Sequence, residues 1–138
     1  MKKFSAVLLI AVICLAIIPA CKKSKGGGGG TPETPLVVET TPAATGQVEA
    51  PAPGPDFPLK VEVKSTMPSS GVKIEITARK DGSADPAFFT TTRNTSNKIE
   101  NFIITGTPKT VICVVNIKVT SITSATNVWT GTYKYSSK

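Results

Sequence analysis

The chain has 138 residues, a formal net charge of +7 and no histidine. This length suits a single domain, and the lack of histidine excludes imidazole-based catalysis and histidine metal sites within this sequence. Residues 56–138 carry 11 basic and 6 acidic side chains, which are scattered as singles or pairs. A nucleic-acid-binding protein more often clusters its basic residues and interleaves them with aromatic ones. We therefore expect a solvated surface and no nucleic-acid partner.

The first 21 residues have the pattern of an export signal. Two lysines near the start precede an uncharged apolar run over residues 6–18, which is short for a membrane-spanning helix and typical of a signal peptide. The run leads into the tetrapeptide Ile18-Pro19-Ala20-Cys21. This tetrapeptide resembles the lipobox of bacterial lipoproteins, in which a cysteine is acylated and signal peptidase II then cleaves before it. The alternative is an uncleaved apolar anchor helix.

The resemblance to lipoproteins implies both a processing site and a location in the cell. Residues 1–20 are then the signal peptide, and Cys21 carries the lipid that attaches the chain to a membrane. Acyl chains can hold a protein on a bilayer, because each buried methylene contributes about 0.8 kcal/mol. In Gram-negative lipoproteins an aspartate after the cysteine favours the inner membrane, whereas this chain has Lys22 there. We therefore expect the outer membrane, with the periplasmic face and the cell surface both left open.

Residues 21–55 have the composition of a flexible linker. They include five consecutive glycines, Gly26–Gly30, and prolines at alternate positions near their end, a composition that resists packing. We predict a tether over this whole segment, and a folded domain over residues 56–138. The apolar cluster Leu36–Val38 offers an alternative, in which it joins the domain as an edge strand.

The folded part shows the two-residue period of β-strands and no helical period. The predicted strands cover residues 57–64, 72–79, 87–93, 98–105, 111–120 and 128–136. The five-residue turn after the first strand predicts that the first two strands pair as an antiparallel hairpin. Six short strands with regular turns predict an all-β fold, a small antiparallel β-sandwich. This arrangement resembles immunoglobulin-like and fibronectin-like domains.

One loop has the alternating oxygen donors that often converge on calcium, namely Asp81, Ser83 and Asp85. The chain has no bidentate acid at a suitable distance downstream. Asp-Gly and Asp-Pro pairs are also ordinary turn chemistry. We interpret the loop as a turn, and we expect neither a metal ion nor another cofactor.

Candidate catalytic groups are few. Glu62, Glu75 and Glu100 lie on predicted strands with basic residues nearby, which favours exposed ion pairs over the facing carboxylates of a hydrolase. Cys113 lies in an apolar strand with no base beside it, so we interpret it as a core residue. These observations predict that the chain is not an enzyme.

Three aromatic side chains, Trp129, Tyr133 and Tyr135, share one face of the last predicted strand. An outward face would form a stacking platform for sugar rings, and an inward face would form a large part of the core. The opposite face carries Val128 as its one apolar residue. We therefore expect the aromatic face to point into the core.

The function predicted from these features is non-catalytic. We expect a lipid-anchored envelope protein whose β-sandwich presents a binding or accessory surface to an envelope partner. The alternative is glycan binding through Trp129, Tyr133 and Tyr135, and a small hydrolase is a third hypothesis.

Overall fold

The structure, a computed structural model, describes residues 32–138. The predicted signal peptide, the lipobox residues Ile18, Pro19 and Ala20, and the predicted lipid site Cys21 lie outside the described residues. Eight strands lie within the described part: β1 (Val38–Thr41), β2 (Thr45–Val48), β3 (Phe57–Val63), β4 (Val72–Lys80), β5 (Phe89–Thr95), β6 (Ile99–Ile104), β7 (Ile112–Ser121) and β8 (Val128–Ser136).

The strands form two sheets. The first has the order β1-β3-β6, and the second has the order β2-β8-β7-β4-β5. Neighbouring strands are antiparallel except for β2 and β8, which pair in parallel. The chain passes from one sheet to the other five times: between β1 and β2, β2 and β3, β3 and β4, β5 and β6, and β6 and β7. Two mostly antiparallel sheets joined in this way form a β-sandwich, so the predicted all-β fold is confirmed.

The core lies between the two sheets and is built from alternate residues of each long strand. Strand β4 turns Val72, Ile74, Ile76 and Ala78 inward, while the residues between them face solvent. Strand β7 does the same with Cys113, Val115, Ile117 and Val119. This is the packing that the two-residue period predicts.

The predicted hairpin between the first two strands of the folded part is wrong. Strand β3 pairs with β1 and β6, and β4 pairs with β5 and β7, so the two strands lie in different sheets. Both strands have one apolar face, and placing them in opposite sheets turns these faces toward each other across the core. The intervening turn therefore crosses between the sheets instead of folding the chain back.

The predicted tether is wrong for residues 38–48. Strand β1 adds to the edge of the first sheet beside β3, and β2 adds to the edge of the second sheet beside β8. Leu36 and Val38 retain only 7% and 8% of their surface exposed, as the edge-strand alternative predicted. The short strands cover sheet edges that a domain limited to residues 56–138 would leave open.

A proline on β3 explains why β1 is short. The amide of Lys64 donates a hydrogen bond to the carbonyl of Val37 at 2.8 Å. Because backbone groups alternate in direction along a strand, the even-numbered residues of β3 point their N–H groups toward β1. Lys60, which lies opposite Thr41, is one of them. The next is Pro58, which has no N–H to donate. The chain leaves the first sheet here and crosses to the second.

A polar cluster fixes the start of the described chain to the loop between β7 and β8. The Glu33 carboxylate accepts hydrogen bonds from Asn127 Nδ2 and Ser121 Oγ, both at 3.0 Å. The Asn127 side-chain oxygen in turn accepts from the Leu36 amide at 2.9 Å. The hydrogen bonds from Asn127 and Ser121 lower the pKa of Glu33. The described chain is therefore held to the sandwich from Glu33 onward.

Candidate ligand groove

The aromatic face of β8 points inward for two of its three residues. Tyr133 and Tyr135 are fully buried, and their rings lie 5.9 Å and 4.3 Å from the ring of Phe57. Trp129 is only partly buried, and it packs against the core at the space left by Gly131. The two tyrosines are therefore core residues and cannot stack on a ligand from solvent.

The buried hydroxyl and thiol groups are not poised for catalysis. Tyr135 shares a 2.6 Å hydrogen bond with Thr107, and burial raises the pKa of Tyr135 to about 12. Burial also raises the pKa of Tyr133, and its hydroxyl has no hydrogen-bond partner within residues 32–138. Cys113 is fully buried, and its pKa is likewise raised by burial. All three side chains are thus enclosed and protonated at neutral pH.

The loop with Asp81, Ser83 and Asp85 is a turn tied down by ion pairs. Asp81 accepts from Lys134 Nζ at 2.7 Å, and Asp85 lies 3.5 Å from Lys80 Nζ. The amide of Asp85 donates to Ser83 Oγ at 3.0 Å, which is ordinary turn geometry. In the part of the chain that the structure describes, no three Cys, Asp or Glu side chains are grouped to hold a metal ion.

Each of the three strand glutamates pairs with a different cation. The closest contacts are 2.6 Å for Lys64–Glu62, 3.2 Å for Lys73–Glu75 and 2.7 Å for Arg93–Glu100. Hydrogen bonds from Lys64 and Lys60 lower the pKa of Glu62. Hydrogen bonds from Thr95 and Arg93 lower the pKa of Glu100. These glutamates stabilise the surface and do not form a pair of facing carboxylates.

A groove of about 910 Å³ lies where β1 leaves the first sheet. On the sandwich side it reaches the core residues Phe57, Leu59 and Phe102. The segment 49–53 forms another part of its lining. This segment is held to β8 by hydrogen bonds such as Ala52 N–H to the carbonyl of Ser136, at 2.8 Å. Since β3 and β8 belong to different sheets, the groove lies between the edges of the two sheets.

The backbone around this groove is poor in hydrogen-bond donors. Four of the lining residues are prolines: Pro42, Pro51, Pro53 and Pro58. Each keeps its carbonyl acceptor but has no N–H. Pro58 stands where the ladder between β1 and β3 would otherwise continue. The lining is therefore mostly apolar and offers more acceptors than donors.

Two carboxylates in the lining of the groove have no lysine or arginine beside them among residues 32–138. Six of the nine described acids lie within 4 Å of such a cation: Glu39, Glu62, Glu75, Asp81, Asp85 and Glu100. The other three are Glu33, which Asn127 and Ser121 hold, and the groove residues Glu49 and Asp56. The Glu49 carboxylate accepts a hydrogen bond from Gln47 Nε2 at 2.8 Å. Lys60 also lines the groove, but its ammonium lies 3.1 Å from Glu62. The groove thus carries negative charge that the described residues do not neutralise.

A second, more polar recess of about 660 Å³ lies on the outer face of the five-stranded sheet. Thr77, Asn116, Thr130 and Thr132 line it together with Ala44–Gly46. Ligand sites are usually concave and mostly apolar, with a few polar groups. The groove beside β3 fits this description better than the recess does.

The sequence interpretation missed the groove because it assigned residues 49–55 to the tether. Prolines in a strand are confined to edges and bulges, so Pro58 was a signal that β3 borders an open edge. The position of residues 49–53 opposite that edge depends on the pairing of β2 with β8, for which the local pattern gives no signal.

No protein-family model matches this chain, and no curated protein or solved structure is significantly similar to it. Within residues 32–138 no helix is long and apolar enough to cross a membrane.

Proposed function

We propose that this chain is a lipid-anchored protein of the bacterial outer membrane, and that its β-sandwich is a non-catalytic binding module. The tetrapeptide Ile18-Pro19-Ala20-Cys21 carries the proposal of a lipid anchor, because it places a cysteine directly after a signal-peptide pattern. Lys22 favours the outer over the inner membrane, and the leaflet is not part of the proposal. The groove beside β3 is the proposed binding surface.

The chain is attached to the sandwich from Glu33 onward, and this limits the distance between the module and a lipid at Cys21. Glu33, which is hydrogen-bonded to Asn127 and Ser121, lies 33 − 21 = 12 residues after Cys21. Even a fully extended chain of this length covers only about 40 Å. The sandwich would therefore stay close to the membrane, much closer than a tether extending to residue 55 would allow.

The groove lies away from the point at which the chain enters the sandwich. The chain enters beside Asn127 and Leu36, next to the end of β3 that contains Val63. Phe57 lies at the other end of β3, which is seven residues and therefore about 20 Å away. The segment that leads to a lipid at Cys21 would thus leave the groove uncovered.

The arrangement of polar groups favours binding over catalysis. The thiol of Cys113 and the two tyrosine hydroxyls are enclosed, and the strand glutamates are engaged by cations. The alternative of glycan binding loses its proposed platform, because Tyr133 and Tyr135 are buried. It would need the polar recess on the five-stranded sheet instead.

The anchor is tested by replacing the cysteine that would carry it. We expect Cys21→Ala to abolish incorporation of an alkyne fatty acid in a Gram-negative host, and to leave a precursor that keeps residues 1–20. Cys113→Ala is the matched control, since its buried thiol is no candidate for acylation, and it should label like the wild type. In-gel fluorescence and mass spectrometry measure both results. Equal labelling of Cys21→Ala and wild type would contradict the lipid anchor.

A further inference from the structure

We propose that the groove beside β3 binds a small amphiphilic cation, that is, an aromatic or short hydrocarbon body that carries an ammonium or guanidinium group. This inference names the ligand class of the binding module proposed above and rests on that proposal. It follows from three properties of the groove: its size and apolar lining, its small number of side-chain donors, and its two carboxylates without a lysine or arginine beside them in the described part of the chain.

The size and floor of the groove suit the apolar body of such a ligand. Its volume of about 910 Å³ lies within the range of roughly 300–1,000 Å³ that small-molecule sites occupy. Phe57, Leu59 and Phe102 come from the core, and their strands are fixed by pairing on at least one side. Because these three side chains are only 8%, 1% and 5% exposed, most of the apolar surface that a ring or chain could cover comes from the prolines and from Ile103, which is 60% exposed.

The hydrogen-bonding groups of the groove select the head group. The prolines contribute carbonyls without N–H groups, and a carboxylate such as that of Glu49 or Asp56 offers acceptors only. Asn101 and Thr41 have side-chain donors in the lining, and Lys60 is engaged by Glu62. An ammonium or guanidinium group supplies several donors and no acceptor, so it complements this lining.

The negative charge of the groove disfavours an anionic ligand with the same apolar body. Glu49 is half-buried and Asp56 is exposed, and neither has a lysine or arginine within 4 Å among residues 32–138. A bound cation would gain an attraction from both, whereas a bound carboxylate would be repelled by both. Partly exposed ion pairs are individually weak, so two of them together should separate cation from anion by about tenfold.

The test uses three probes that share a phenylethyl body and differ in their head group: 2-phenylethylammonium, 2-phenylethanol and 3-phenylpropanoate. Each is titrated into the full chain in detergent micelles by calorimetry, with protein-free micelles as the blank. We expect saturable binding of the ammonium probe, about tenfold tighter than that of the carboxylate probe. Amide chemical shifts should move most around Phe57 and Phe102.

Charge-removing variants assign the preference to the two carboxylates. In the double variant Glu49→Gln with Asp56→Asn, the affinity for the ammonium probe should fall about threefold, while that for the alcohol stays the same. Asp85→Asn removes an acid that does not line the groove and should change neither affinity. Unchanged melting temperatures show that the variants remain folded.

Three results would overturn the inference: no saturable binding of the ammonium probe, equal affinities for the ammonium and carboxylate probes, or shift changes confined to residues outside the groove. None of these results affects the lipid labelling of Cys21, so failure of the ligand assignment and failure of the anchor are distinguishable.

Discussion

A chain that begins at Asp56 should be largely unfolded, whereas a chain that begins at Pro32 should fold. The shorter chain lacks β1 and β2 and loses Leu36, Val38 and Ala52 from the core. Burial of Leu36 and Val38 contributes about 1.5–3 kcal/mol each, and the exposed edges of β3 and β8 add to the loss. The total of about 4–6 kcal/mol is comparable with the whole stability of a small domain, about 5–15 kcal/mol.

Urea unfolding, followed by far-ultraviolet circular dichroism and Trp129 fluorescence, measures the difference. The chain from Pro32 should show one cooperative transition, and the chain from Asp56 should show little or none. Coincident transitions of the two chains would mean that residues 32–55 are an independent tether and that β1 and β2 add nothing to the sandwich.

The second large effect is a difference in stability loss between two aromatic residues that the sequence places on the same face of β8. Tyr133→Ala removes a fully buried ring that packs near Phe57, and we expect a loss of about 3–5 kcal/mol. Trp129→Ala removes a larger ring that is only partly buried, so its loss should stay below about 2 kcal/mol. Equilibrium unfolding in urea gives both values.

Tyr133→Phe is the matched control for this pair. The Tyr133 hydroxyl has no hydrogen-bond partner within the described residues, so its removal should leave stability unchanged or slightly higher. A greater loss for Trp129→Ala than for Tyr133→Ala would contradict the packing of β8.

Alternation along the chain was enough to predict the long strands. In β7, four consecutive inward residues are apolar, and the structure buries all four. Strand β8 runs from Val128 to Ser136, as its pattern predicted. Such alternation is a local property of the sequence, and it is strong wherever one face of a strand is buried.

Pairing and short strands could not be predicted in this way. Strand β2 reads Thr45-Gly46-Gln47-Val48 and buries none of its four residues fully, so no apolar face marks it. It exists because β8 offers a free edge, and that edge is a property of the assembled sheet. The groove depends on this same pairing, since β2 leads residues 49–53 along β8. The prolines and the acid in residues 49–53 therefore had the composition of a tether when the sequence was considered alone.

The most direct test of the account is proteolysis of purified outer membranes that carry the full chain. If Cys21 is acylated and the sandwich begins at Glu33, trypsin should cut after Lys25 and release a fragment of residues 26–138, while the acylated peptide stays with the membrane. An endopeptidase specific for glutamate should leave Glu39 and Glu49 uncut, because β1 and the segment after β2 are paired to the sheets. Mass spectrometry of the released material identifies each fragment. Rapid cleavage after Glu39 or Glu49, or a chain that trypsin does not release, would contradict a sandwich anchored by a short N-terminal segment.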